Sequence, residues 1–173
     1  MFIYHNMASG ISLGSSSNGL PSADVYTFST PALKKVEADA TSNVLAVRIK
    51  NGKNLNKRLT AILTKFEILS TVENLSYFIV KLPNNSSATT GSIWTSATKD
   101  IEYNTKVILT HNEKIIESGY LTETKVSGNI IKIDENALHL SSDNQDSEIY
   151  VVVVKNIGAN ATEVGVTLQW EEI

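Results

Sequence analysis

From about Tyr26 to the C-terminus, apolar residues come in short runs or alternate with polar ones, and turn-forming residues recur roughly every eight to twelve positions. The clearest run is Ile149-Tyr150-Val151-Val152-Val153-Val154. It is too apolar to face water on either side, so it predicts a central strand covered on both faces. After the Asn156-Ile157-Gly158-Ala159-Asn160 connection, Val164, Val166, Leu168 and Trp170 point one way. Gly165, Thr167, Gln169 and Glu171 point the other, the period-two signature of a half-buried strand. Two more runs are strands by the same criteria: 44–49, closed by Asn51-Gly52, and 75–82, bounded by Pro83 and the polar stretch Asn84-Asn85-Ser86-Ser87.

Other segments carry weaker signals. In 59–69, Leu59, Ile62, Leu63 and Phe66 have helical spacing while Ile62, Thr64, Phe66 and Ile68 alternate; β-branched content favours a strand, with a helix as competitor. Residues 92–95 around Trp94 read as a short strand or a loop anchored by the indole. Strands are expected at 101–110 and 114–120 with a turn at His111-Asn112-Glu113, and at 129–133 after Ser127-Gly128. Residues 134–140 read as one turn of helix or a bend, and 141–147 as a surface loop. Many short strands without a convincing helix predict an all-β fold, an antiparallel β-sandwich of jelly-roll type. Its C-terminal strand should pair with early ones. A parallel α/β fold would need crossover helices that the pattern lacks.

The first residues differ from the rest. Met1 to Met7 is a short apolar segment, followed by Ser9-Gly10, Gly14 to Gly19 and Pro21, all flexible punctuation. Residues 1–23 therefore read as an extended N-terminal arm, to be ordered by packing on its own sandwich or on a neighbour, and 24–173 as the sandwich. A chain of 173 residues suits one such domain.

Only 19% of residues are charged, so Ser, Thr and Asn must supply much of the surface. The net charge of -3 and dispersed basic residues argue against nucleic acid, which requires a concentrated positive footprint. Lys50, Lys53, Lys57 and Arg58 make one local cluster, in an Asn/Gly-rich stretch that suits a solvated hairpin tip. With no cysteine, disulfides and thiol chemistry are excluded. The N-terminus lacks the basic region of a signal peptide, and no run reaches the roughly 18 apolar residues of a membrane helix.

Residues with chemical potential do not converge. His5, His111 and His139 lack metal-binding spacing, and no serine lies in a G-x-S-x-G elbow. Asp134-Glu135 and Asp143-Asn144-Gln145-Asp146 place carboxylates close together, yet the second lacks the glycine and closing glutamate of an EF-hand. No glycine motif fits a phosphate loop. Asn84-Asn85-Ser86-Ser87 and Asn160-Ala161-Thr162 match glycosylation acceptors, relevant only to a secretory route. Trp170 belongs with the core by register, whereas Trp94 could pack or touch a ligand. No catalytic, cofactor-binding or metal-binding residue is assigned, and no cofactor is expected.

Two segments, Asp24-Val25-Tyr26-Thr27-Phe28-Ser29-Thr30-Pro31-Ala32 and Val164-Gly165-Val166-Thr167-Leu168-Gln169-Trp170-Glu171-Glu172, resemble the beginning and end of small β-sandwich virion proteins of tailed bacteriophages. Ile93-Trp94-Thr95 and Ile116-Glu117-Ser118-Gly119-Tyr120 sit where that group has similar interior segments. The resemblance implies a non-enzymatic structural component of a virion. A head auxiliary or decoration protein suits the size best, with a tail, neck or fibre component or a carbohydrate- or receptor-binding module as alternatives. Expected partners are other virion proteins and further copies of the chain, a trimer being one arrangement, without nucleic acid or membrane. A bound glycan is the less favoured partner.

Overall fold

The computed structural model describes residues 11–12, 24–50, 60–83, 93–107, 114–130, 136–140 and 147–173. All strand pairings are antiparallel, and they form two packed sheets. In chain order the strands are β1 (Ile11–Ser12), β2 (Asp24–Ser29), β3 (Lys34–Val36), β4 (Thr41–Ile49), β5 (Thr60–Ser70) and β6 (Leu75–Leu82). They continue as β7 (Thr95–Ser96), β8 (Ile101–Asn104), β9 (Lys114–Leu121), β10 (Lys125–Asn129), β11 (Ala137–His139), β12 (Ile149–Asn156) and β13 (Thr162–Glu172). Sheet A runs β1-β2-β13-β5-β10, with β3 beside β13 and β11 beside β5; sheet B runs β7-β8-β4-β12-β6-β9.

This order is a jelly roll. The pairs β6 with β9, β5 with β10, β4 with β12 and β2 with β13 are nested, so the chain is one long two-stranded ribbon. Rolling that ribbon up brings β13 against β5 and β12 against β6.

The core lies between the sheets. Leu75, Tyr77 and Ile79 of β6, Tyr150, Val152 and Val154 of β12, and Val164, Val166, Leu168 and Trp170 of β13 all point into it. Their alternation follows from the two-residue strand period. Tyr150 is buried, and its hydroxyl donates to the carbonyl of Asn136, fixing the entry to β11.

The expectation that 149–154 is covered on both faces holds. Ile149, Val151 and Val153 join Ala46, Val80 and Leu82 in a second apolar cluster on the outer face of sheet B. Its cover comes from the excursion between β6 and β9: Val107 is buried in the cluster and Trp94 packs against it. Arg48 lies 4.1 Å from the Trp94 ring centroid and donates through Nε to Glu102 Oε1 at 2.6 Å. Asn43 Nδ2 holds the Val107 carbonyl at 2.5 Å, and Lys34 Nζ holds those of Asn43 and Thr105 at 2.5 and 2.7 Å.

Several boundaries differ from expectation. β8 ends at Asn104, because that side chain accepts from the Lys106 amide at 2.6 Å and donates to the Ile93 carbonyl at 2.8 Å, turning the chain. Gly128 lies inside β10 instead of preceding a strand. The stretch expected as a helical turn or bend contains β11, which pairs Ala137, Leu138 and His139 with Ile62, Ala61 and Thr60. Ser147, expected on a surface loop, is buried, and its hydroxyl accepts from the Ile49 amide at 3.1 Å. The ambiguous 59–69 segment is a strand from Thr60 onward. In the arm, β1 pairs antiparallel with Val25 and Tyr26; residues 1–10 and 13–23 lie outside the described residues.

Candidate interaction surface

The two outer faces of the sandwich differ. That of sheet B is sealed by Trp94 and Val107, whereas no described residue covers the outer face of sheet A across β2, β13, β5 and β10. Ladder register sets its side chains in rows. One row reads Thr27, Gln169, Lys65, Asn129, and the next reads Ser29, Thr167, Glu67, Ser127. All of these but Ser29 line a shallow groove of about 410 Å³. A third row brings Gly165, Leu69 and Lys125 together, and Leu33 leans over Gly165.

Sequence explains why this face stays polar. Along β13 the positions opposite the core are Thr167, Gln169 and Glu171, and β5 and β10 supply Lys65, Glu67, Ser127 and Asn129 in the same register. The Ser29 and Thr167 hydroxyls are 2.8 Å apart, and Lys125 Nζ lies 2.6 Å from Glu67 Oε2. Such a lining offers donors and acceptors with little net charge, suited to another polar surface or a neutral polar ligand. Leu33 and Leu69, 52% and 42% exposed, add an apolar margin at one end.

A second polar cluster ties the sheets together at one end of the sandwich. Trp170 is buried, stacks on Tyr26 with centroids 6.3 Å apart, and donates its indole NH to Glu172 Oε1 at 3.0 Å. Thr98, in the turn before β8, donates to the same oxygen at 3.3 Å. Burial pushes the Glu172 carboxyl above its ordinary range; the indole and Thr98 donors oppose this, and Asp100 and Asp24 reinforce it. Burial first, then Glu172 and Asp24, push the Tyr26 hydroxyl up to about 12. These groups act as a latch between β13 and the β7–β8 turn, a constellation the sequence reading missed because its members lie far apart in the chain.

Of the residues weighed from sequence, His139, Lys50, Asn160, Trp94 and Trp170 are among those described. His139 lies on β11, where its backbone amide donates to Glu148 Oε2 at 3.0 Å; His5 and His111 lie outside the described residues. So do Asp134, Glu135, Asp143, Asp146, Lys53, Lys57, Arg58, Asn84 and Asn85. Lys50 is a structural tie, donating to the carbonyls of Thr98 and Lys99 at 2.8 and 2.6 Å. The Asn160 carbonyl accepts from Asn156 Nδ2 at 2.8 Å within the β12–β13 connection. Trp94 packs, as one of its two expected roles. Among the described residues no group of three or more His, Cys, Asp or Glu is placed to hold a metal ion, and no helix is long and apolar enough to cross a membrane.

Comparison with protein-family models and with curated proteins finds no match for this chain.

A carbohydrate-binding module would be expected to display two or three aromatics along one face. Tyr120, 70% exposed on β9, is the only exposed aromatic among the described residues. Tyr26, Phe28 and Tyr103 pack against the core, and Phe78 and Trp94 against the outer cluster of sheet B. The groove on sheet A thus offers hydrogen bonds without an aromatic platform among the described residues.

Proposed function

We propose that this chain is a non-enzymatic structural subunit of a larger assembly, of the type the sequence resembles: a phage head auxiliary or decoration protein that binds neighbouring subunits through its sandwich and its N-terminal arm. The observation that carries this reading is the asymmetry of the two outer faces. The excursion between β6 and β9 seals sheet B, yet among the described residues sheet A keeps a polar face with an apolar margin. A jelly roll with one finished face and one open face suits a subunit that seats on a partner. Binding of that kind stabilises the folded subunit by mass action.

The test is incorporation. Gln169→Glu combined with Thr167→Glu places two negative charges at the centre of the open face and is expected to abolish binding to the partner lattice while leaving the fold intact. Removing residues 1–19 is expected to leave a soluble sandwich that incorporates poorly. Unchanged incorporation of both variants would sink this reading. Retention of an immobilised glycan by the wild-type chain, lost in the charged variant, would instead make the groove a carbohydrate site.

A further inference from the structure

β9 ends sheet B, and no strand among the described residues pairs with its outer side. At eight residues it is the longest of the strands at the sheet margins, against two each for β1 and β7, three for β11 and five for β10. Proteins usually blunt such edges by shortness, lysine, proline or a bulge. β9 has a lysine at its start, Lys114, and a bulge beside it, but the rest of this long strand is uncharged except for Glu117. It presents Ile115 and Tyr120, 58% and 70% exposed.

A bulge decides where these two side chains point. Glu117 sits opposite Ile79 and Ile115 opposite Val80, so Ile116 is an extra residue in the ladder. Without it, residues five apart would face opposite sides. With it, Ile115 and Tyr120 lie on one side, opposite Val80 and Ser76. Each is then two ladder steps from Ser118, Tyr120 by way of Gly119 and Ile115 by way of Glu117.

We propose that β9 is a self-complementary edge that pairs antiparallel with β9 of a second copy about a two-fold axis at Ser118. In that register Ile115 faces the partner's Tyr120 and Tyr120 faces the partner's Ile115. Glu117 meets the partner's Gly119, where no side chain competes for space, and Lys114 meets the partner's Leu121. The contact is isologous, as a closed dimer requires. Both exposed side chains enter β-branched–aromatic cross-strand pairs, a favourable kind. The Ser118 amide, which donates to Glu117 Oε1 at 3.2 Å, lies at the symmetry point. This inference deepens the assembly reading by naming one contact the subunit makes with itself.

The chain has no cysteine, so Ser118→Cys introduces a single thiol. Directly opposed residues in an antiparallel ladder have Cα atoms about 4.5–5.5 Å apart, within the roughly 4.4–6.8 Å span of a disulfide. Mild oxidation of the full chain is expected to convert Ser118→Cys to a covalent dimer. Ser96→Cys, exposed on β7 at the opposite edge, is expected to remain uncrosslinked. Light scattering should show self-association weakened roughly tenfold or more by Ile115→Lys with Tyr120→Lys, with an unchanged far-ultraviolet circular dichroism spectrum. An oligomer that survives the double variant, with Ser118→Cys crosslinking no faster than Ser96→Cys, overturns the edge pairing and leaves the assembly reading standing on other contacts. A chain monomeric at every concentration, without the Ser118→Cys crosslink, also overturns the edge pairing and transfers assembly to a different partner protein.

Discussion

Gly128→Ala should destabilise the sandwich, although alanine is the better residue in most strands. Gly128 lies directly opposite Phe66, whose ring crosses the space a side chain would need. A Cβ at 128 would come within 2.6 Å of Phe66 Cε1 and 2.8 Å of Cζ. Carbon atoms prefer separations of about 3.5–4.0 Å, so the ring would have to retreat by roughly 1 Å. Retreat is blocked by Tyr77 of the facing sheet, whose ring centroid is 5.3 Å away and which is itself pressed onto Gly119, its ladder partner in sheet B. The two glycines on the β9 and β10 edges thus accommodate a pair of aromatics that bridge the sheets. Overpacking of this kind costs about 1–3 kcal/mol, and reduced freedom of the unfolded chain returns about 0.4–1 kcal/mol. The midpoints of the two ranges leave a net loss of about 1.3 kcal/mol, within limits of about 0–2.6 kcal/mol. Urea titration of wild type, Gly128→Ala, Phe66→Leu and the double variant would measure it. Phe66→Leu should relieve much of the alanine penalty, giving a coupling of about 1 kcal/mol or more. A Gly128→Ala protein as stable as wild type, or a cycle without coupling, would refute the steric account.

Trp170→Ala should cost about 3–5 kcal/mol in denaturant titration, the usual penalty for emptying a buried tryptophan site; a loss well under 1 kcal/mol would place the indole outside the core. Glu172→Gln tests the latch by pH. Because burial raises the folded carboxyl above its ordinary 4.5, the stability it contributes is complete below that value and is lost as pH rises through the folded value. The amide variant should therefore be more stable than wild type at neutral pH, and the difference should shrink toward about pH 4; a gap independent of pH would show that the carboxyl does not titrate differently on folding. Tyr150→Phe strips a buried carbonyl at Asn136 of its donor and should lower stability by about 1–3 kcal/mol, measured the same way.

How much could be read from the chain depended on whether burial left an unbroken period. β6 and β12 were legible because both their faces are buried, and β13 because one face alternates through Trp170. The segment holding β5 looked half helical for a physical reason. A bulge places Thr64 as an extra residue opposite the Gln169/Trp170 step, so the inward set runs Ala61, Leu63, then Phe66, Ile68 and Ser70. The three-residue step from Leu63 to Phe66 mimics a helical interval. Gly128 was read as punctuation because glycine usually marks a turn, and nothing local shows that an aromatic from another strand needs the space. β11 was missed since three residues give no period, and Ser147 because its partner, the Ile49 amide, lies 98 residues away. The open face of sheet A was half legible: the polar positions of β13 were plain, but the rows across β2, β5 and β10 exist only once the register is known.

The placement of β13 has a consequence for synthesis. Among the described strands β13 is synthesised last, and it sits between β2 and β3 on one side and β5 on the other, at the middle of sheet A. Until it emerges, β2 and β5 are separated by an empty lane, and Leu63, Phe66 and Ile68 lack their ladder neighbours Trp170, Leu168 and Val166. The roll can therefore close only after β13 has been synthesised. A nascent chain stalled before Thr162 should stay open to protease, and protection should arrive in one step once Glu172 has cleared the ribosome.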